Sequence, residues 1–139
     1  MSDAQPILES HPTSGGALQL EQLAEILHGL EECAQVCLVC ADACLAEETV
    51  AMLRRCIRLD LDAAAVCRVT ADVVSRLLEP DRATVRAILH ACVAACDACA
   101  DECAKHSHLH DHCRICAEAC RACAQTCRDA LLMLPAAGD

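Results

Sequence analysis

Residues 92–103 read CVAACDACADEC, with cysteines at positions 92, 96, 99 and 103. The same spacing of four, three and four occurs in residues 33–44, and a longer run of this kind occupies residues 113–127. Steps of three and four residues return to one face of an α-helix, whereas a strand would send neighbouring cysteines to both faces. The spacing therefore predicts three helices that each carry a stripe of thiols, formed by Cys33, Cys37, Cys40, Cys44, Cys92, Cys96, Cys99, Cys103, Cys113, Cys116, Cys120, Cys123 and Cys127.

The sequence around these stripes predicts four helices joined by short links. The first helix is expected over residues 17–46, the second from an N-cap at Thr49 to residue 78, the third after Glu79-Pro80-Asp81 to about residue 106, and the fourth over residues 111–133. Short links favour an all-α fold, an antiparallel up-down-up-down four-helix bundle with a cysteine-lined core. We expect the bundle to span residues 17–134. Residues 1–16 are predicted to be an N-terminal tail with a short turn of helix at Ile7-Leu8, and residues 135–139 a C-terminal tail.

Projection of the helices at 100° per residue predicts which residues share the sulfur face. Aliphatic residues, among them Val85 and Ile88, lie on this face near Pro80, and the cysteines continue it toward the opposite end of the bundle. The second helix contributes a sparser stripe, which consists of Met52, Cys56, Asp60, Ala63, Cys67, Thr70 and Val74. Its second apolar stripe, which starts at Val50 and Leu53, is expected to serve a flanking seam or a subunit interface.

Composition narrows the class of protein. The 139 residues include 15 cysteines and no aromatic side chain, and 21 acidic residues against 11 Lys and Arg give a net charge of −10. Such a chain is a poor candidate for binding nucleic acid. We identify no signal peptide and no membrane span, so we expect a cytoplasmic protein, in which thiols stay reduced. An odd number of cysteines in that compartment favours metal binding over a disulfide framework, although CxxC pairs could oxidise with local strain.

Buried columns of thiolates select a soft metal, for which Cu(I), Zn(II) and iron–sulfur clusters are the candidates. Each Cu(I) that displaces one thiol proton leaves the net charge of its site unchanged. A zinc ion held by four thiolates leaves a charge of −2, and several such sites in a narrow apolar core would repel each other. Iron–sulfur motifs lie on loops and are often followed by proline, whereas these cysteines lie within helices. Cu(I) is therefore favoured, with an iron–sulfur electron carrier and a general soft-metal or zinc buffer as alternatives.

Other candidate ligands lie near the cysteines of the open end. Histidine and methionine also bind Cu(I), more weakly than thiolate does, so side chains of these types could accept an arriving ion. An unpaired carboxylate on the sulfur face would be costly. Asp60 should therefore accept a thiol hydrogen bond, take up a proton or bind metal, unless it pairs with an arginine. The additional metal candidates are Met52, Asp60, His106, His108, His110 and His112.

The number of thiols points to storage of copper. If each thiolate bridges two ions and each ion takes two sulfurs, the capacity approaches about one ion per cysteine, whereas a carrier of single ions needs two or three ligands. We find no nucleophile–base–oxyanion arrangement, so we do not predict an enzyme. Copper chaperones or small-thiol copper carriers are the expected partners, together with other copies of this chain.

The repeated C-x₃-C-x₂-C-x₃-C stripes on four predicted helices resemble the bacterial copper storage proteins, and the resemblance covers essentially all of residues 17–134. It implies that many Cu(I) ions are bound along the core by all fifteen cysteines, with His106, His110 and Met52 at the open end. One branch of that family is exported through a twin-arginine signal, and a cytosolic branch lacks the signal and tends to form tetramers. This sequence is similar to the cytosolic branch. Two features depart from the family pattern: the second helix supplies only Cys56 and Cys67, and the segment before Ala17 matches no motif.

Overall fold

Five α-helices and one short 3₁₀ helix make up the computed structural model, which describes residues 4–13 and 18–134. Helix α1 spans Ala4–Glu9 and lies against α2, which spans Leu20–Ala46. A 3₁₀ helix, Val50–Leu53, leads into α3, Arg54–Val74. Helix α4 spans Arg82–Ala104 and α5 spans Asp111–Met133. The predicted start of the bundle at residue 17 and the predicted tail at 135–139 lie outside the described residues.

Helices α2 to α5 form the predicted four-helix bundle. Each packs on its two neighbours, and α5 returns to pack on α2, while diagonally opposite helices within the described residues make no close backbone contact. The links after α2 and α4 meet at one end, where Glu47 contacts His110 and His112. The link between α3 and α4 lies at the other end. The up-down-up-down arrangement is therefore confirmed.

Helix α4 begins where the sequence predicts, directly after Glu79-Pro80-Asp81. The Asp81 carboxylate accepts a hydrogen bond from the backbone N–H of Thr84 at 3.1 Å, and it also accepts one from the Thr84 hydroxyl. This N-cap satisfies one of the donors that a helix start leaves unpaired. Pro80 lies one residue before the cap, where its missing N–H costs nothing.

The second helix differs from its prediction at both ends. Residues 50–53 form a 3₁₀ helix, so α3 begins at Arg54, and it ends at Val74 instead of residue 78. Thr49 makes no capping hydrogen bond through its side chain. A 3₁₀ helix turns every three residues, which shifts the register of its side chains. Leu53 is consequently buried and Met52 is 67% exposed, so the predicted inward projection of Met52 is wrong.

Aliphatic side chains close one end of the core, as predicted. Leu23, Ile26 and Leu30 of α2 are buried there, together with Val85 and Leu89 of α4. Leu89, and not the predicted Ile88, takes the fully buried position on α4. The thiols begin directly beyond this plug, so the sulfur column is closed at this end.

By length and composition alone, α4 is also long and apolar enough to cross a membrane. Its sequence is rich in alanine and cysteine, and all four of its cysteines are buried in the bundle. Core helices of soluble proteins meet the same criterion. This property is therefore only a weak indication of a membrane span.

The plug should contribute measurably to the stability of the metal-free protein. We expect Leu89→Ala to lower the free energy of unfolding by about 2–5 kcal/mol, because it leaves a cavity at a fully buried site. Denaturant unfolding of the reduced protein measures this effect. Leu78→Ala is the matched control, since Leu78 is 67% exposed, and it should change stability by less than about 0.5 kcal/mol. Equal losses in the two variants would contradict the assignment of Leu89 to the core.

Candidate metal centre

All fifteen cysteines are buried, and all are free thiols. Helices α2 and α4 contribute four each and α5 contributes five, while α3 contributes Cys56 and Cys67. None of these residues is more than 3% exposed. The prediction that the stripes face inward is therefore confirmed for every cysteine.

One cysteine from each bundle helix meets in a layer in the half of the core nearer the aliphatic plug. Cys33, Cys67, Cys96 and Cys123 place their sulfur atoms within 4.8 Å of one another. Cys67 Sγ lies 3.7 Å from Cys96 Sγ and 3.9 Å from Cys123 Sγ. Metal–sulfur bonds of ~2.3 Å place two ligands of a three- or four-coordinate ion roughly 3.8–4.0 Å apart. The layer is therefore spaced for a metal ion with little movement of its sulfurs.

The next layer has thiols from only three helices. Cys37, Cys99, Cys116 and Cys120 lie together, with Cys37 Sγ 3.4 Å from Cys120 Sγ and 3.8 Å from Cys116 Sγ. On α3, residues 56, 60, 63 and 67 repeat the spacing of the cysteine stripes, but the two middle positions are Asp60 and Ala63. Both are fully buried. Helix α3 therefore places a carboxyl group and a methyl group where its neighbours place thiols.

Short sulfur–sulfur distances join the layers into one column. Cys33 Sγ lies 3.7 Å from Cys120 Sγ in the next layer. On the side of the aliphatic plug, Cys67 Sγ lies 3.9 Å from Cys92 Sγ. Toward the open end, Cys56 Sγ and Cys103 Sγ are 3.2 Å apart. The potential ligand sets therefore adjoin one another along the column.

Asp60 lies inside this column. Its Oδ1 accepts hydrogen bonds from the thiols of Cys99 at 3.0 Å, Cys116 at 3.1 Å and Cys103 at 3.5 Å. Its Oδ2 is buried and makes no hydrogen bond within the described residues. No described salt bridge joins Asp60 to an arginine, so the arginine alternative is wrong. Burial, reinforced by the neighbouring Cys116 and Cys99 sulfurs, raises the pKa of Asp60 to about 11, so its carboxyl group is neutral in the metal-free protein.

The raised pKa of Asp60 predicts how the stability of the metal-free protein changes with pH. The folded chain keeps a proton that the unfolded chain loses above its pKa of 3.8, so the free energy of unfolding should fall as pH rises. Below about pH 4 the effect vanishes, and between pH 5 and 7.5 we expect a slope of about 1 kcal/mol per pH unit. Asp60→Asn should remove this slope, as measured by denaturant unfolding at several pH values. An equal slope in wild type and variant would contradict the neutral carboxyl group.

Burial keeps two thiols of the open end, Cys44 and Cys113, protonated before metal arrives. Desolvation raises the pKa of Cys44 and raises that of Cys113 to about 12. A neutral thiol carries no charge that needs a partner. Monovalent ions that each replace one proton preserve that neutrality.

At the open end, a histidine joins the thiols. His112 Nδ1 lies 3.4 Å from Cys40 Sγ and 3.6 Å from Cys113 Sγ, and these three residues with Cys44 form one potential ligand set. His112 Nε2 lies 2.9 Å from Glu47 Oε2. When Nε2 carries the proton, the Nε2–H group donates a hydrogen bond to this carboxylate, and the lone pair of Nδ1 is directed toward the two sulfur atoms. His112 is therefore the outermost member of this potential ligand set.

The other predicted residues of the opening take different positions. His110 stacks on His112, with ring centroids 5.4 Å apart, and its Nδ1 lies 2.9 Å from Glu47 Oε2. His106 Nε2 lies 3.2 Å from Glu102 Oε2, and both side chains are largely buried. His108 is exposed. The structure thus brings His110 and His112 to the end of the column, while Met52 lies exposed on the 3₁₀ helix.

Sequence reasoning missed the two carboxylates that hold these histidines. The Glu102–His106 pair has a helical i, i+4 spacing that could have revealed it. Glu47 offered no such signal, because it ends α2 and meets α5 only through the fold.

A four-helix bundle whose core is a continuous column of buried free thiols belongs to the class of soft-metal-binding proteins with multiple thiolate sites. The family model of the copper storage proteins (Csp) matches residues 19–132. The chain belongs to the copper storage protein family.

Solved structures with the same fold include three copper-bound relatives. The copper storage protein Ccsp from Streptomyces lividans, loaded with 10 copper equivalents, is 47% identical, with a TM-score of 0.92 over 94% of this chain and 99% of that one. A cytosolic copper storage protein from S. lividans with five coppers is 51% identical, with a TM-score of 0.82 over 83% and 96% of the two chains. The Cu(I)-bound copper storage protein BsCsp3 is 34% identical, with a TM-score of 0.67 over 77% and 95%. A search of curated proteins found no match.

Proposed function

We propose that this protein stores many Cu(I) ions in the cytosol, bound to the thiolates that line its core. The observation that carries the proposal is the continuity of the sulfur column, to which all four bundle helices contribute and which is closed at one end by aliphatic side chains. A protein that delivers single ions needs one set of two or three ligands. A closed column of fifteen thiols instead retains ions.

The charge of the column supports Cu(I) over zinc. Within the described residues, no arginine or lysine is buried, so nothing would compensate several buried zinc–thiolate sites of charge −2. Cu(I) at about one ion per thiol leaves the column neutral. The structures of copper-bound relatives, one of them named as a cytosolic storage protein, agree with this preference.

The ligands that we assign to copper comprise the column and its opening. Asp60 can lose its proton and bind an ion through Oδ2, which makes no hydrogen bond within the described residues. His112 receives ions from outside, and His106, His108, His110 and Met52 are weaker outer ligands. The thiolate ligands are Cys33, Cys37, Cys40, Cys44, Cys56, Cys67, Cys92, Cys96, Cys99, Cys103, Cys113, Cys116, Cys120, Cys123 and Cys127.

The thiols act as ligands and not as catalytic nucleophiles in this proposal. A nucleophilic cysteine needs a lowered pKa and access to substrate, whereas Cys44 and Cys113 at the open end are buried and have raised pKa values. Copper chaperones or small-thiol carriers would exchange Cu(I) with the sulfurs near His112. We further propose a homo-tetramer, in which exposed apolar residues of α3 such as Leu61 and Val69 would be covered.

Metal analysis of the protein isolated from copper-fed cells tests this function. We expect ten or more copper ions per chain, little zinc and no inorganic sulfide, and we expect protein from copper-starved cells to contain little copper. Iron with inorganic sulfide would identify an electron carrier. Zinc in excess of copper under copper feeding would identify a general metal buffer, and either result would reject copper storage.

A further inference from the structure

The rim of the column carries a second group of ligands whose chemistry differs from that of the core. Glu47 Oε2 lies 2.9 Å from His110 Nδ1 and 2.9 Å from His112 Nε2. Glu47 comes from the end of α2, His110 is the N-cap residue of α5, and His112 lies in its first turn. Two imidazoles and one carboxylate oxygen therefore converge where two links of the bundle meet.

We propose that Glu47, His110 and His112 form a binding site for a divalent metal ion of the zinc type. We further propose that a divalent ion in this site prevents Cu(I) from binding to His112 Nδ1. Zinc binds histidine nitrogen at about 2.0–2.1 Å and carboxylate oxygen at about 2.0–2.2 Å, so its ligand atoms lie roughly 3.3 Å apart. A retreat of the carboxylate by a few tenths of an ångström would provide the oxygen–nitrogen spacing, and a tilt of the two stacked rings would direct both nitrogens at the same ion. The metal would then take the place of the two N–H···O hydrogen bonds that the carboxylate now accepts, and the proton of each imidazole would move to its other nitrogen.

The surroundings of the three side chains suit a divalent ion. Their exposed fractions are 32% for Glu47, 15% for His110 and 24% for His112, which leaves a side open for water as a fourth ligand. A carboxylate oxygen with two imidazoles favours zinc-like ions, whereas Cu(I) prefers the thiolates below. His110 Nε2 lies 3.5 Å from Thr49 Oγ1, so the nitrogen that does not bind metal has a hydrogen-bond acceptor.

The exclusion follows from the two nitrogens of His112. A neutral imidazole has one N–H group and one lone pair. While Nε2–H donates to Glu47, the lone pair of Nδ1 faces Cys40 and Cys113 and can bind Cu(I). A divalent ion on Nε2 takes the lone pair at that position and moves the proton to Nδ1. His112 can then no longer bind Cu(I) beside these two cysteines.

Cobalt(II) distinguishes this site from the core, because only thiolate ligands produce an intense sulfur-to-cobalt charge-transfer band. We expect the first equivalent of Co²⁺ added anaerobically to the reduced, metal-free full-length chain to bind without that band. Glu47→Ala and His110→Ala should each weaken this binding more than about tenfold, since even outer-shell partners of a metal site commonly contribute 10–100-fold. Glu48→Ala and His90→Ala, which change exposed residues of the same types, should leave it unchanged. A charge-transfer band from the first equivalent, or unaltered affinity in the first two variants, would overturn the site.

Zinc tests the exclusion, which rests on the proposed copper storage. One equivalent of Zn²⁺ should slow the initial uptake of Cu(I) by the wild-type protein at least severalfold, and it should not slow uptake by Glu47→Ala relative to the same variant without zinc. Equal slowing of both proteins, or no slowing of either, would reject the exclusion. The final copper content separates the two proposals. A wild-type chain that saturates at one or two Cu(I) ions would reject storage and leave the cobalt result standing.

Discussion

Filling the core with Cu(I) should raise the melting temperature of the protein by more than about 20 °C. Each ion present at about 1,000 times its dissociation constant adds about 4 kcal/mol to the free energy of unfolding, provided that it binds only the folded chain. Ten such ions would add far more than the 5–15 kcal/mol that ordinarily stabilises a domain. Free cysteines of the unfolded chain will also bind copper, which reduces the gain. The ordered ligand sets should nevertheless retain most of it, because unfolding separates sulfurs that four different helices bring together.

Thermal unfolding followed by circular dichroism under anaerobic conditions measures this stabilisation. The control is the same sample after a strong Cu(I) chelator has removed the metal, which should return the melting temperature to that of the metal-free protein. If the copper-loaded protein has the same melting temperature as the metal-free protein, the ions bind outside the core.

Replacing Cys33, Cys67, Cys96 and Cys123 by serine together should remove at least four Cu(I) ions from the saturated protein. These four residues form the layer to which every bundle helix contributes. A hydroxyl group is a poor ligand for Cu(I). A buried serine in a helix can donate its hydroxyl hydrogen bond to the backbone carbonyl four residues earlier, so the substitutions leave no unpaired polar group. Cys92 and Cys127 lie beyond this layer, toward the aliphatic plug. If copper reaches these two cysteines only through the layer, the fourfold variant loses up to six ions.

The matched control for this variant is Cys92→Ser with Cys127→Ser, which leaves the layer intact. This double variant should lose about two ions. Copper per chain, measured after anaerobic saturation and removal of loosely bound metal, is the readout for both. Undiminished binding by the fourfold variant, with a circular dichroism spectrum like that of the wild type, would show that the layer does not bind copper.

The helical stripes were predictable because burial of a thiol depends mainly on helix periodicity. Every cysteine on the predicted stripes is buried, and Asp60 was placed on the sulfur face by the same periodicity. The sequence alone could not show which thiols contact Asp60, because Cys99, Cys103 and Cys116 reach it from two other helices. Their positions depend on the vertical offset of the packed helices, which periodicity does not determine.

The opening was less predictable, since its residues lie where regular helices end. The 3₁₀ helix at residues 50–53 turned Met52 outward, and periodicity at 100° per residue does not apply there. Glu47 was not identified because its partners lie at the start of another helix, α5. Histidine type and position in the chain indicated the correct end of the bundle, and the contacts of each ring came only from the fold.

Anaerobic titration of the reduced, full-length chain with Cu(I) tests the central claim most directly. Each addition is equilibrated against a competing Cu(I) chelator, and the copper retained by the protein is counted per chain. We predict that uptake continues to ten or more ions, and that acidification weakens it because protons compete for each sulfur. Saturation at one or two ions, or retention that does not depend on pH, would contradict storage by the thiolate column.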